Sequence, residues 1–232
     1  AGRPKFEACA KLLTRLEEAG ELRLPALRKD KSHPGPRSCA LRRASARIDP
    51  PESLVRSLSE LDAVRLRLAS DPEEEHLWNE YVERYHPLGY KKPFGYWARY
   101  FIESAEHRLG CILLGGAAKA LTARDQWIGW NDRQRLANLP WVVNNSRYLI
   151  FPWVEVANLA SHVLGQLARR VGDDWEARWG YRPVLLETFV DPARFRGSCY
   201  RAAGWALLGR TTGEGLVRPG KQYRTSPKLI FA

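Results

Sequence analysis

The apolar positions form a succession of patterns whose period changes along the chain. From Lys5 to Ala19, Phe6, Cys9, Leu12, Leu13 and Leu16 recur three and four apart, which is one face of a helix, and Gly20 supplies a C-cap. Leu22-Arg23-Leu24-Pro25 then alternates like a short strand. Residues 29–52 are rich in Pro, Ser and Arg, have no period, and read as a linker. Beyond it, Val64 to Leu68 alternates as a strand, and Asp71-Pro72 opens an acidic helix carrying Leu77, Trp78, Tyr81, Val82 and Tyr85. The loop from His86 to Gly95 precedes two strands, Arg99 to Glu103 and Leu109 to Leu114, which form a hairpin. A short polar helix around Asp132 to Ala137 leads through Trp141-Val142-Val143 to Arg147-Tyr148-Leu149-Ile150-Phe151, the apolar run of a central strand. A long helix from Asn158 to about Trp179 presents Leu159, Val163, Leu164, Leu167, Val171 and Trp175 on one face and stops at Gly180. Strand Pro183 to Val190, a short helix opened by Asp191-Pro192, and strand Trp205 to Gly209 follow. The chain closes on a strand-like apolar run, Lys228 to Ala232.

These elements predict an α/β protein of the α+β kind with a mixed sheet. We read residues 1–28 as a small leading segment, 29–52 as linker and 53–232 as the main domain. The absence of methionine, with an opening inside a structural element, leads us to expect further chain before Ala1. Helix, glycine and short basic strand resemble the tail of a winged helix. The net charge is +11, with twelve Lys/Arg against five acids in residues 1–47 and seventeen against nine in residues 110–232, whereas the middle is acidic. A cationic surface of this size attracts polyanions through counterion release, so DNA or RNA is the expected partner. Arg3, Lys5, Arg15, Arg23, Arg28 and Lys29 fit a phosphate-contacting face, with Gly2-Arg3-Pro4 able to enter a minor groove.

Other classes recede. No run approaches the ~18 apolar residues of a spanning helix, and the first residues lack a signal peptide's apolar core, so we expect a cytoplasmic protein without a membrane partner. Cys9, Cys39, Cys111 and Cys199 form no CxxC pair, and the five histidines show no HExxH or HxH spacing. A metal site is therefore not expected.

The order β-α-β-β-β-α-β-α-β, with a hairpin before the central strand, resembles the GNAT acyltransferase fold. Tyr200-Arg201-Ala202-Ala203-Gly204-Trp205 looks like the segment that ends the last helix of that family. There the tyrosine often protonates the departing coenzyme A thiolate, and the resemblance nominates Tyr200 for that role. A resemblance covering nearly the whole chain rests on Ala123-Arg124-Asp125-Gln126-Trp127-Ile128-Gly129-Trp130, on Val143 to Val154, on Asn158-Leu159-Ala160-Ser161 and on Glu187 to Tyr200. Together these resemble the DruA-like family, whose members are associated with the Druantia anti-phage defence system and with mobile-element genes. Partners implied by that resemblance are other defence or transposition proteins.

Against the GNAT pattern, the place of the glycine loop that cradles a coenzyme pyrophosphate holds Val156-Ala157-Asn158-Leu159-Ala160-Ser161. An acyl-coenzyme A donor would have to be held by Val156, Asn158, Leu159, Ala160 and Ser161 without any glycine. Thr211-Thr212-Gly213-Glu214-Gly215 carries an acid where the family suggests a base. In a GNAT-like cleft the candidate bases are Glu155 and Glu187; Glu187 can equally pair with an arginine such as Arg147 or Arg194, and Glu155 can be a solvated loop charge. Cys199 is either a thiol nucleophile or a small buried residue. His86, in the loop before the hairpin, either faces the acceptor or anchors the loop. Asn144, Asn145 and Arg147 can read a base edge or hold a phosphate, or cap a turn, and Arg194 and Arg201 join them as candidate nucleic-acid contacts. Aromatic residues beside cations, around Trp97, Trp127 to Trp130 and Trp179, are able to stack bases, and a wedge of this kind suits base flipping. Two readings lead. One is group transfer to a nucleobase, and the other is a DNA-binding anchor without catalysis. An ordinary N-acyltransferase is the third.

Overall fold

A computed structural model describes residues 6–23, 46–105, 107–213 and 226–232. The chain divides into two compact units, Ala1–Arg43 and Ala44–Ala232. In the first, helix α1 (Phe6–Glu18) ends as its sequence directs. Gly20 takes φ +75°, open to glycine at no steric cost, and the Glu21 N–H closes the turn onto the Leu16 carbonyl at 2.9 Å. Arg15 and Arg23 are exposed, and no strand begins at Leu22 or Arg23. Leu24, Pro25, Arg3, Lys5, Arg28 and Lys29 lie outside the described residues, as do Glu214 and Gly215.

The second unit starts earlier than residue 53. A helical turn at 46–48 sets Ile48 into the core, fully buried, where the Tyr85 hydroxyl donates to its carbonyl at 2.7 Å. The last residues of the stretch read as linker are thus part of this unit. Strand β1 (Leu54–Arg56) follows, then β2 (Arg65–Leu68), α2 (Pro72–Tyr85), the hairpin β3 (Trp97–Ser104) and β4 (His107–Gly116), and two short helices, α3 (Thr122–Ile128) and α4 (Asp132–Asn138). Next come β5 (Val142–Ile150), β6 (Val154–Val156), α5 (Leu159–Trp179), β7 (Leu185–Val190), α6 (Ser198–Ala202), β8 (Leu207–Arg210) and β9 (Leu229–Phe231). Seven strands form one mixed sheet in the order β2-β3-β4-β5-β7-β9-β8, and β1 pairs in parallel with β6 beside it. This is the mixed α/β architecture expected: β2-α2-β3-β4-β5-α5-β7-α6-β8 follows the order β-α-β-β-β-α-β-α-β, and β1, α3, α4, β6 and β9 are added to it.

Local chemistry places the helices. Asp71 caps α2 by accepting from the Glu74 N–H at 2.8 Å, Pro72 stands at the first position, and Glu73, Glu74 and Glu75 meet the positive end of the helix dipole. Gly180, at φ +78°, ends α5. Successive residues of β3 point to opposite faces, so its contacts assign the layers. Phe101 meets Tyr81 of α2 edge to face, whereas the Tyr100 hydroxyl donates to Asp174 of α5 at 2.9 Å. Therefore α2 covers one face and α5 the other.

The only parallel pair in the seven-stranded sheet, β5 with β7, positions the candidate site. Its register runs from Val142↔Leu185 to Asn145↔Thr188 and stops. Beyond that point β5 continues to Ile150 along β4, while β7 turns to pair with β9. An extra residue, Ser146, bulges β5 where Leu113 faces Arg147 but Leu114 faces Asn145. A bulge increases local twist and bends the strand, which accounts for the divergence beginning there.

Candidate functional site

Strand alternation puts Asn145 and Thr188 on the α5 face of the divergence and Asn144 and Glu187 on the α2 face; Tyr200 of α6 joins the α5 face, edge-on to Tyr148, whose hydroxyl meets α5. The two leading catalytic candidates thus have the sheet between them.

Glu187 is fully buried. Its Oε1 accepts from the Ala118 N–H at 2.7 Å and from Asn144 Nδ2 at 3.2 Å, and its Oε2 accepts from Arg124 Nη1 at 2.8 Å. The partner is Arg124 and not Arg147 or Arg194. Arg124, also 0% exposed, gives Nε and Nη2 to Asp125 Oδ1 and Nη1 to the Ala118 carbonyl as well. Arg135 extends the cluster by bridging Asp125 at 3.4 Å to Asp132 at 2.8 Å. Satisfying each buried charge by fixed partners is what keeps such a cluster tolerable in a sheet interior. It leaves Glu187 no free lone pair aimed at solvent.

Tyr200 is 6% exposed, stacked on Phe231 at 5.5 Å between ring centres and edge-on to Trp205 and Tyr148. Burial holds its phenol well above the ordinary tyrosine range. Its hydroxyl reaches Asn145 Nδ2 and Thr188 Oγ1 only at 3.5 Å each, the outer limit of a hydrogen bond. Asn145 is 3% exposed, and its Oδ1 has no hydrogen-bond partner. The Cys199 thiol is likewise raised by burial and stays protonated, the small-residue alternative rather than an activated nucleophile.

His86 anchors its loop. Its Nδ1 accepts from the Leu88 N–H at 3.1 Å, and burial together with the Arg147 charge pushes its pKa down to about 4, so the ring is neutral near pH 7. Arg147 is spent on backbone carbonyls, Nε to Gly89 at 2.8 Å and Nη1 to Ser146 at 2.7 Å. Arg194 is exposed, and Arg201, also exposed, donates to the Arg196 carbonyl and lies 5.3 Å from the centre of the Phe231 ring. Glu155 is exposed in β6 opposite Val55.

The start of α5 does not fit a glycine-type pyrophosphate cradle. Asn158 takes φ +63° without a side-chain cap, the Ser161 hydroxyl folds back on the Asn158 carbonyl at 3.0 Å, and Leu159 is buried. The Ala160 carbonyl accepts from the Tyr148 hydroxyl at 2.6 Å, and Val156 is half-buried in β6. Of the candidate donor-binding residues only Leu159 is buried; Asn158 is exposed, and Val156, Ala160 and Ser161 are half-buried.

Reading the sequence alone missed the Arg124–Asp125 pair as partners of Glu187. It also missed a row of arginines along β2 and α5. Among the described residues, no group of three or more His, Cys, Asp or Glu is arranged to hold a metal ion, and no helix is long and apolar enough to cross a membrane.

Comparison with known proteins completes the picture. A search of curated proteins found no match. Among solved structures, the chain is similar to an acetyltransferase of Bacillus subtilis in complex with coenzyme A, at 10% identity and a TM-score of 0.41 over 73% of this chain and 97% of that one. It is similar to the aminoglycoside acetyltransferase AAC(6')-Ib in complex with ribostamycin and coenzyme A, at 15% identity and a TM-score of 0.46 over 73% and 92%. An agmatine N-acetyltransferase is similar at 10% identity and a TM-score of 0.44 over 73% and 98%. The profile of the family described as Druantia protein DruA matches residues 17–220, nearly the whole length, and the chain belongs to the DruA family.

Proposed function

We propose that this chain acts on nucleic acid as a binding component of Druantia-type anti-phage defence, with its GNAT-like body serving as scaffold rather than as transferase. The observation that carries this reading is the state of Glu187, fully buried with both oxygens engaged by Ala118, Asn144 and Arg124. A general base must reach the proton it takes, and this carboxylate faces only its own cage. The glycine-free start of α5 supports the same reading, because a donor's phosphates find no glycine-lined approach there. The net charge of +11 supports nucleic acid as the partner.

One observation favours the alternative, group transfer at the divergence of β5 and β7. The buried Asn145 Oδ1 lacks a donor beside the Tyr200 and Thr188 hydroxyls, and a bound ligand's N–H or O–H can supply one. Mass spectrometry of nucleosides from DNA incubated with the protein and a cell extract separates the two. The scaffold reading expects unmodified nucleosides from DNA that the protein nonetheless retains. A mass shift that disappears with Tyr200→Phe overturns it in favour of transfer.

A further inference from the structure

We propose that the free edge of β2 holds a phosphodiester backbone between Arg65 and Arg169, an inference that rests on the nucleic-acid reading above and names its surface. β2 is the outer strand of the seven-stranded sheet. Such an edge ordinarily offers open carbonyls to another strand. Here Gln166 Nε2 donates to the Val64 carbonyl at 2.9 Å, and the Arg170 guanidinium donates to that of Leu66. Side chains of α5 thus close the edge to strand addition by a peptide.

What remains beside it is a concavity of about 910 Å³ whose charged wall is Arg65, Arg67, Arg169 and Arg170 with Asp62 and Glu103. Glu103 is engaged by Arg67 at 2.8 Å and by Arg108 at 3.5 Å, Arg67 also binds Glu74, and Arg170 binds Asp174 at 2.6 Å. Arg65 and Arg169 differ. Both are exposed, and among the described residues neither forms an ion pair. Val64 and Leu66, the larger apolar residues of this wall, are buried, while Ala63 and Ala105 are exposed beside the arginines. A second concavity of about 680 Å³ shares Arg67 and Glu103 and is lined also by Arg47, Arg56 and Arg108 with Asp49 and Glu52. Planar guanidinium forks match phosphate oxygens two at a time, and a succession of them along an edge suits a ligand whose charge repeats along its length.

The test compares the wild-type chain with Arg65→Ala/Arg169→Ala, using labelled short duplex and single-stranded DNA in anisotropy titrations between about 50 and 300 mM salt. Lys119→Ala/Arg133→Ala is the control, since it removes the same charge from exposed positions elsewhere. The proposal expects the slope of log K against log salt to fall by about 1.8 in the edge variant, two phosphates at about 0.9 each, and to stay unchanged in the control. Unchanged melting temperature in both variants shows that folding is not the cause. If the wild type binds DNA and the edge variant has the wild-type slope, the edge assignment is overturned while the nucleic-acid reading stands. If the wild type binds neither DNA form nor RNA at low salt, both fall. Equal binding of polyglutamate, lost equally in the edge variant, overturns phosphodiester as the occupant in favour of an acidic protein.

Discussion

Replacing Arg124 by alanine removes four hydrogen bonds at once. Two go to Asp125 Oδ1 at 2.9 and 2.8 Å, one to the Ala118 carbonyl at 2.9 Å and one to Glu187 Oε2 at 2.8 Å. Glu187 then remains fully buried with only the Ala118 N–H and the Asn144 amide to oppose its charge. Removing one partner of a buried ion pair costs about 3–5 kcal/mol, a large share of the roughly 5–15 kcal/mol that stabilises an ordinary domain. Glu187→Gln keeps the shape and leaves Arg124 its Asp125 partner, so it costs less, about 1–3 kcal/mol. Arg124→Met combined with Glu187→Leu removes both charges and, set against Arg124→Met and Glu187→Leu alone, recovers part of the loss, a coupling of at least about 1 kcal/mol between the two sites. Urea unfolding followed by the fluorescence of the nine tryptophans measures all of these. An Arg124→Ala variant that loses less than about 1 kcal/mol, or additive single and double substitutions, refutes the structural role assigned to the pair.

The His86 ring, at about 4 in the fold against an ordinary 6.5, binds its proton more readily in the unfolded chain. Its contribution is therefore complete above pH 6.5 and is lost as pH falls toward 4; after discount for partial exposure it amounts to about 1–2 kcal/mol, and His86→Asn should flatten that part of the stability profile. Tyr200→Phe should change stability by less than about 1 kcal/mol, because its hydroxyl contacts are 3.5 Å long, whereas Tyr200→Ala opens the stack on Phe231 and costs about 3–5 kcal/mol by the same unfolding assay. Gly110→Ala places a Cβ 2.1 Å from the Leu149 carbonyl oxygen in the adjacent strand; it should cost more than about 3 kcal/mol, and a soluble variant with wild-type melting temperature contradicts that packing.

The sequence was legible where burial is periodic. All six residues expected on the inner face of α5, from Leu159 to Trp175, are buried, and Leu77, Trp78, Tyr81 and Val82 fill the inner face of α2 as their spacing implied. It was opaque where burial is polar or short. Helix α3 buries Arg124 and Asp125 instead of an apolar stripe, so no period marks it. Strands β1 and β6 have three residues each and pair across the chain without an alternation long enough to notice. Glu187 could be suspected of an ion pair, but choosing Arg124, 63 positions away, required the register that sets Glu187 opposite Asn144. The same holds for Tyr200 and Glu187. Which face each occupies, and that both are buried, follows from alternation about a strand divergence that no local pattern reveals. Arg65 and Arg169 are separated in sequence by α2 and strands β3 to β6, yet line one concavity beside the sheet's edge.

The function proposed above has this fold serving nucleic acid through its charge rather than through group transfer. Anisotropy titration of the wild-type chain with duplex DNA, single-stranded DNA and RNA over a salt series tests it most directly. The expected result is binding to at least one of them whose log K falls linearly with log salt, at a slope equivalent to several neutralised phosphates, each worth about 0.7–0.9. Absence of binding at low salt, or binding indifferent to salt, contradicts it.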